Sequence, residues 1–189
     1  MRRRLILLLL ALSTFSAIGQ STSIWQSGSV VLVNDQVLAG EIMVHVDFNT
    51  LVYRSASHVE VLPSYKISSF RFYDEAENIN RQFMSIRDSL RGVDSFYELV
   101  VKGAYNIVRK QDHTYARDDQ EDYTYYVYHE KSLMPIRKFK KKVFPDLLSS
   151  RPDLDQWIKT ERLDLNQKKT AILIVQEYNR EFTEMVASR

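Results

Sequence analysis

From Gly28 to Asp74 short runs of alternating apolar and polar residues follow one another with polar turns between them, the pattern of an antiparallel meander. Ser29 to Val33 is apolar, Asn34-Asp35-Gln36 is turn chemistry, and Val37 to Val46 alternates over a longer span. Together they predict a hairpin. Along its second strand Leu38, Ile42, Val44 and Val46 share one face while Glu41, Met43 and His45 share the other, as in a sheet covered mainly on one side. Gly40 falls on the apolar face and thins it. Leu51 to Ser55 and His58 to Leu62 predict a third and a fourth strand, with Val59 and Val61 alternating against His58 and Glu60. A fifth, Tyr65 to Tyr73, starts with Tyr65 and Ile67 in one phase and ends with Phe70 and Phe72 in the other. A bulge near Ser68-Ser69 is therefore expected, and it bends the sheet towards closure.

Beyond an acidic loop at Asp74 to Asn80, Arg81 to Ile86 predicts a short strand and Asp88 to Asp94 a turn around Gly92. Ser95 to Lys102, rich in β-branched and aromatic residues, pairs across Gly103 with Ala104 to Lys110. After the polar stretch Gln111 to Asp122 comes the tyrosine-rich strand Tyr123 to His129. Leu133 to Arg137 follows, and Pro135 marks it as an edge strand. From about Phe139 the period lengthens. Val143, Phe144, Leu147 and Leu148 share a helical face that Pro145 begins or interrupts, and Leu154, Trp157 and Ile158 share another after a start at Ser150-Arg151-Pro152-Asp153. The longest helix begins near Asn166, with Ile172, Val175, Tyr178, Phe182 and Met185 as its stripe, widened by Ile174 and Val186. Lys168 and Lys169 in its first turn oppose the helix dipole. The fold class read from these patterns is α+β: a strongly bent antiparallel β-meander or partly open barrel of about eight to ten strands, with a small C-terminal helical segment. Residues 20–137 form the β body and 138–189 the helical segment packed on it as one domain.

The start of the chain changes where this domain is expected to work. Arg2, Arg3 and Arg4 precede an apolar run from Leu5 to Leu12, and Ala17-Ile18-Gly19 places small residues where a signal peptidase reads. Residues 1–19 read as a signal peptide, since the run is shorter than the roughly 20 residues a membrane span needs. A chain exported to the periplasm or beyond, with no transmembrane segment after cleavage, is the expectation. No cysteine is present, which removes disulfide scaffolds, thiol chemistry and lipid attachment at a cysteine. After a 19-residue leader, 170 of the 189 residues remain, with 23 basic and 24 acidic side chains. Nucleic acid is not an expected partner at that balance. Gln20 to Glu130 carries 10 basic and 16 acidic residues and Lys131 to Arg189 carries 13 and 8. Either the basic tail docks by charge on the acidic body, or it offers a surface to an anionic envelope component.

Candidate chemistry is sparse. The nucleophile elbow and phosphate-cradling glycine loops are absent, and after His129-Glu130 the second histidine of a zinc protease is replaced by Leu133. His45, His58, His113 and His129 are scattered without ligand spacing. Asp118, Asp119, Glu121 and Asp122 lack the alternation that aims oxygens at calcium, so no cofactor is expected. Two binding candidates stand out. Tyr123, Tyr125, Tyr126 and Tyr128 put rings on both faces of one strand, where they either stack on a glycan or simply suit a half-buried strand. Arg137, Lys138, Lys140, Lys141 and Lys142 surround Phe139, a run that either meets anionic lipid, lipopolysaccharide or an acidic envelope protein, or is a solvated helix start.

The signal peptide, the hairpin Ser29 to Val46, the segment Ser69-Phe70-Arg71-Phe72-Tyr73-Asp74, the strand Phe96 to Gly103 and the final helix with Tyr178-Asn179 together resemble a family of uncharacterised exported β-rich proteins of Bacteroidetes. That resemblance implies an envelope location and carries no catalytic residues. The expected role is a non-enzymatic binding or structural component of the envelope. A glycan- or lipid-binding module is the alternative, and a hydrolytic enzyme stands third, requiring His58, His129 and an acid in one cleft.

Overall fold

The opening hairpin is present as β1 (Gln26–Leu32) and β2 (Val37–His45), paired from Gln26↔Ile42 to Val31↔Val37. A computed structural model describes residues 25–88, 92–111 and 123–187, with side chains as far as 180 in the last helix. Residues 1–24 with the expected leader, the acidic stretch with Asp118, Asp119, Glu121 and Asp122, His113, and the side chains of Phe182, Met185 and Val186 lie outside the described residues. The meander continues through β3 (Thr50–Arg54), β4 (Val59–Pro63), β5 (Ile67–Asp74), β6 (Ile79–Asp88), β7 (Val93–Val101), β8 (Asn106–Gln111), β9 (Tyr123–His129) and β10 (Ser132–Pro135). Among the described residues these ten strands make one antiparallel sheet in the order β10-β9-β8-β7-β6-β5-β1-β2-β3-β4. The sheet is open, and Pro135 stands on an edge strand as expected. β5 returns from β4 to the far side of β1, joining a four-stranded meander to a six-stranded one.

The sheet curls because two bulges and one crossing segment bend it. Val31 pairs with Ser69 while Leu32 pairs with Ile67, so Ser68 is the extra residue on β5, where the phase change placed it. After β4 the chain crosses the concave face through Ser64–Lys66. There Ser64 donates through Oγ to the Asp94 carbonyl at 2.7 Å, and the Ser64 carbonyl accepts from Ser85 Oγ at 2.8 Å. These bonds draw the first meander over the second. The enclosed core joins Val30, Ile42, Leu51, Tyr53, Leu62, Ile67, Phe70, Phe72 and Phe96. Gly40 is required in it: a Cβ there would lie 2.5 Å from the Arg54 carbonyl oxygen and 3.0 Å from the Tyr53 ring.

Two sequence readings need correction. Val59 and Val61, the apolar set of β4, are 60% and 59% exposed, and Leu62 of the other phase is the core residue. Strand β4 pairs only with β3 at the sheet's end, so its outer face has no layer above it. Tyr65, read into the fifth strand, belongs to the crossing turn and is exposed.

A second bulge was not visible in the sequence. Leu99 pairs with Val108 and Val101 with Ile107, which leaves Val100 as the extra residue and turns Val101 to the concave face. Val101, Ile107 and Val127 then form the seat for α1 (Phe139–Lys142), α2 (Phe144–Ser150), α3 (Asp153–Thr160) and α4 (Lys168–Ala187). Pro145 begins α2 rather than breaking it. Among the described side chains of α4 the buried apolar ones are Ala171, Ile174, Val175 and Tyr178, so Val175, Tyr178 and Ile174 face the core as expected while Ile172 is only partly covered. Asn166 is not the helix cap; its side chain accepts from Lys140 Nζ and donates to Asp164.

The tail docks chiefly by apolar burial and one amide. Asn179 accepts from the Tyr105 N–H at 3.2 Å and donates to the Tyr105 carbonyl at 2.7 Å, filling the space over Gly103. The ion pairs Lys159–Asp155, Arg180–Glu177 and Arg151–Asp153 each lie within the tail. Lys168 Nζ, 4.6 Å over the Tyr125 ring, brings tail charge against the body.

Candidate functional site

On the concave face, between the two apolar cores, the alternation of three neighbouring strands brings Arg81, Glu98 and Arg109 together. Arg81 is on β6, Glu98 on β7 and Arg109 on β8, and Glu98 pairs in register with both Phe83 and Arg109. Arg109 grips Glu98 through Nε at 2.8 Å and Nη2 at 3.1 Å, while Arg81 Nη1 reaches Glu98 at 2.9 Å and its Nε reaches Asp74 at 2.7 Å. The Tyr125 hydroxyl accepts from Arg109 Nη1 at 3.4 Å, and the Arg109 guanidinium lies 4.1 Å over the Tyr123 ring. The result is a rigid, mostly buried ionic cluster with two cations and two anions. Its partners raise the pKa of Arg109, the hydrogen bonds it donates to Glu98 foremost.

Beside this cluster opens a cleft of about 480 Å³, within the roughly 300–1,000 Å³ of small-molecule sites. Phe72, Phe83, Phe96 and Val44 give it an apolar floor, and Phe48, 77% exposed, stands at the rim with Asp47. The floor is ordered by stacking. Phe70 and Phe83 lie 4.8 Å apart and parallel, Phe72 and Phe83 5.7 Å, and Phe96 meets Phe70 edge-on at 5.0 Å.

The hydrogen bond from Arg81 holds the Asp74 carboxyl below its ordinary value of 3.8, with burial acting in the other direction. Because the folded pKa is the lower one, the carboxylate stabilises the protein fully above about pH 4 and less as pH falls through the depressed value. In urea titrations between about pH 5 and pH 2, Asp74→Asn is expected to flatten the loss of stability seen in the native chain. An unchanged pH profile would remove this pair from acid sensitivity.

The sequence-derived candidates are divided by the fold. Tyr123 and Tyr125 face the concave side, Tyr123 lining the cleft, whereas Tyr126 and Tyr128 pack with Tyr97, Val108 and Leu133 on the convex side. Tyr123, Tyr125 and Tyr126 also line a shallow groove of about 430 Å³ with Pro135, Ile136, Arg137 and Lys168, whose Nζ lies 4.6 Å over the Tyr125 ring. Part of the tyrosine strand and one member of the basic run thus meet. Phe139 corrects the reading of that run: at 1% exposure it is a core residue against Phe144, because the helical segment turns its apolar positions inward. It is not available as a surface contact. Lys138, Lys141 and Lys142 are exposed and line neither recess, and Lys140 reaches Asn166.

The described histidines, His45, His58 and His129, do not converge. His58 is exposed beside Glu60, while His129 bonds through Nδ1 to the Ala104 carbonyl at 2.8 Å and stacks on Tyr105. His45 lines the cleft, but both oxygens of Glu98 there are held by arginines. Among the described residues no group of three or more His, Cys, Asp or Glu side chains is placed to hold a metal ion. The residues missed from sequence are Arg81, Glu98 and Arg109, single charges on three different strands, Arg109 with Lys110 beside it. Their one local signal was a charged residue at the concave phase of an apolar strand, as at Glu98 between Phe96 and the valines. No family model, curated protein or solved structure matches this chain.

Proposed function

We propose that this chain is a non-enzymatic binding component of the bacterial cell envelope, exported by residues 1–19 and taking a small amphipathic ligand in its concave cleft. The observation that carries the reading is the pairing of a stacked phenylalanine floor with a preorganised ionic wall, an arrangement that gives a ligand both apolar burial and fixed donors. The Arg2-to-Gly19 pattern and the resemblance to exported Bacteroidetes proteins support the location. No described helix is long and apolar enough to cross a membrane.

A second reading, a glycan or anionic lipid on the tyrosine strand, is favoured by the groove that joins Tyr125 to Arg137. Purification of the full chain from native envelopes, followed by mass spectrometry of retained lipids and glycans, separates the two. Stoichiometric retention lost in Phe48→Ser and kept in Arg137→Glu is the expected result, with a weakening of about tenfold or more for the lost aromatic contact. Loss in Arg137→Glu alone would move the site to the groove.

A further inference from the structure

We infer that the cleft selects an uncharged amphipath, a molecule with an apolar chain and a neutral head group bearing ester or hydroxyl oxygens, and that Arg81 reads the head group. The inference rests on the cleft being a binding site and adds the chemistry of its occupant. Of the two guanidiniums in the wall, Arg109 has a partner at each nitrogen: Nε and Nη2 are on Glu98, Nη1 is on the Tyr125 hydroxyl, and its face is against Tyr123. Arg81 does not. Its Nε is on Asp74 and its Nη1 on Glu98, and Nη2 meets no acceptor among the described residues. Arg81 lines the cleft beside Phe72 and Phe83, so those remaining N–H groups adjoin the apolar floor.

The charge count decides which acceptor fits. Arg81 and Arg109 are balanced by Asp74 and Glu98 within hydrogen-bonding distance, and both Glu98 oxygens are occupied. A carboxylate or phosphate head would add a negative charge beside two carboxylates, with Asp47 a further one at the rim. An ammonium head would stand against two guanidiniums. In a wall this poorly solvated either excess is costly, whereas a neutral oxygen accepts from Nη2 with no new charge to desolvate. Lys110 and Asp47 also line the cleft and add one charge of each sign, so the balance stands. The floor of Phe72, Phe83 and Phe96 takes the chain.

Isothermal titration of the full chain with three probes of equal chain length, monodecanoylglycerol, decanoate and decylammonium, each below its micellar concentration, tests this. Monodecanoylglycerol is expected to bind at least tenfold tighter than the other two. Arg81→Met, which leaves one uncompensated carboxylate, is expected to move the preference to decylammonium, and Phe48→Ser to weaken all probes together. Decanoate binding as tightly as the glycerol ester would overturn the neutral-head assignment while keeping the cleft. Failure of all three to bind would overturn the cleft reading, and this inference with it. Should Arg81→Met not fold, the ranking in the native chain decides alone.

Discussion

Replacing Glu98 by alanine is expected to lower stability by about 3 kcal/mol, read as a fall in the urea midpoint with an unchanged slope. Glu98 is only 8% exposed and neutralises two arginines at once. Two opposing effects set the size. Burying the carboxylate was itself unfavourable, and the attraction to Arg81 and Arg109 offsets that cost without much surplus. Removing the acid alone leaves both guanidiniums in the wall with Asp74 as the remaining anion, so the cost of their burial is no longer offset. An exposed pair such as Arg54–Glu41 would lose far less by the same surgery, since water screens it. A Glu98→Ala loss as small as that would show that water enters the cluster. Exchanging Asp74, Arg81, Glu98 and Arg109 together for Asn, Met, Leu and Met should recover much of the stability, because no charge is then stranded.

Asn179→Ala is expected to cost about 2–3 kcal/mol, enough to lower Tm by about 5–10 °C. The side chain bridges the backbone N–H and C=O of Tyr105, a buried residue of the hairpin turn, and no neighbouring group replaces it. Gly103→Ala is expected to do comparable harm by a different route. A Cβ at residue 103 would sit 2.2 Å from Asn179 Cγ, so the amide must leave and α4 must shift. Combining the two distinguishes them: in the Asn179→Ala background the Gly103→Ala change should cost little, since the obstructing amide is gone. Simple additivity in a double-mutant cycle would mean that Gly103 acts through backbone conformation instead.

How far the sequence could be read depended on the range of the interaction. The β1–β2 hairpin, the Ser68 bulge and the edge position of β10 were legible because alternation, turn residues and proline act over a few positions, whereas whether Pro145 begins or interrupts its helix was left for the fold to decide. The Val100 bulge was not, since in a run of apolar residues either phase fits equally well until a helix covers one side. The same limit put the partly covered Ile172 on the stripe of α4 and left Phe139 as an apparent surface contact.

The cleft shows the limit most clearly. Tyr123 and Tyr125 could be singled out by composition, but their use could not: one faces the cleft and stacks on Arg109, and the other gives its hydroxyl to the same guanidinium. Arg81, Glu98 and Arg109 are separated by 17 and 11 positions, and nothing local marks them as partners.

By itself the sequence determined an antiparallel β-rich body followed by helices, free of cysteine chemistry, since periodicity and composition are properties of the chain alone. The tertiary structure decided which charges meet, which tyrosines share a face and where a ligand can enter. Those depend on the register between strands and on the curl of the sheet, and both are settled only when distant segments compete for the same core.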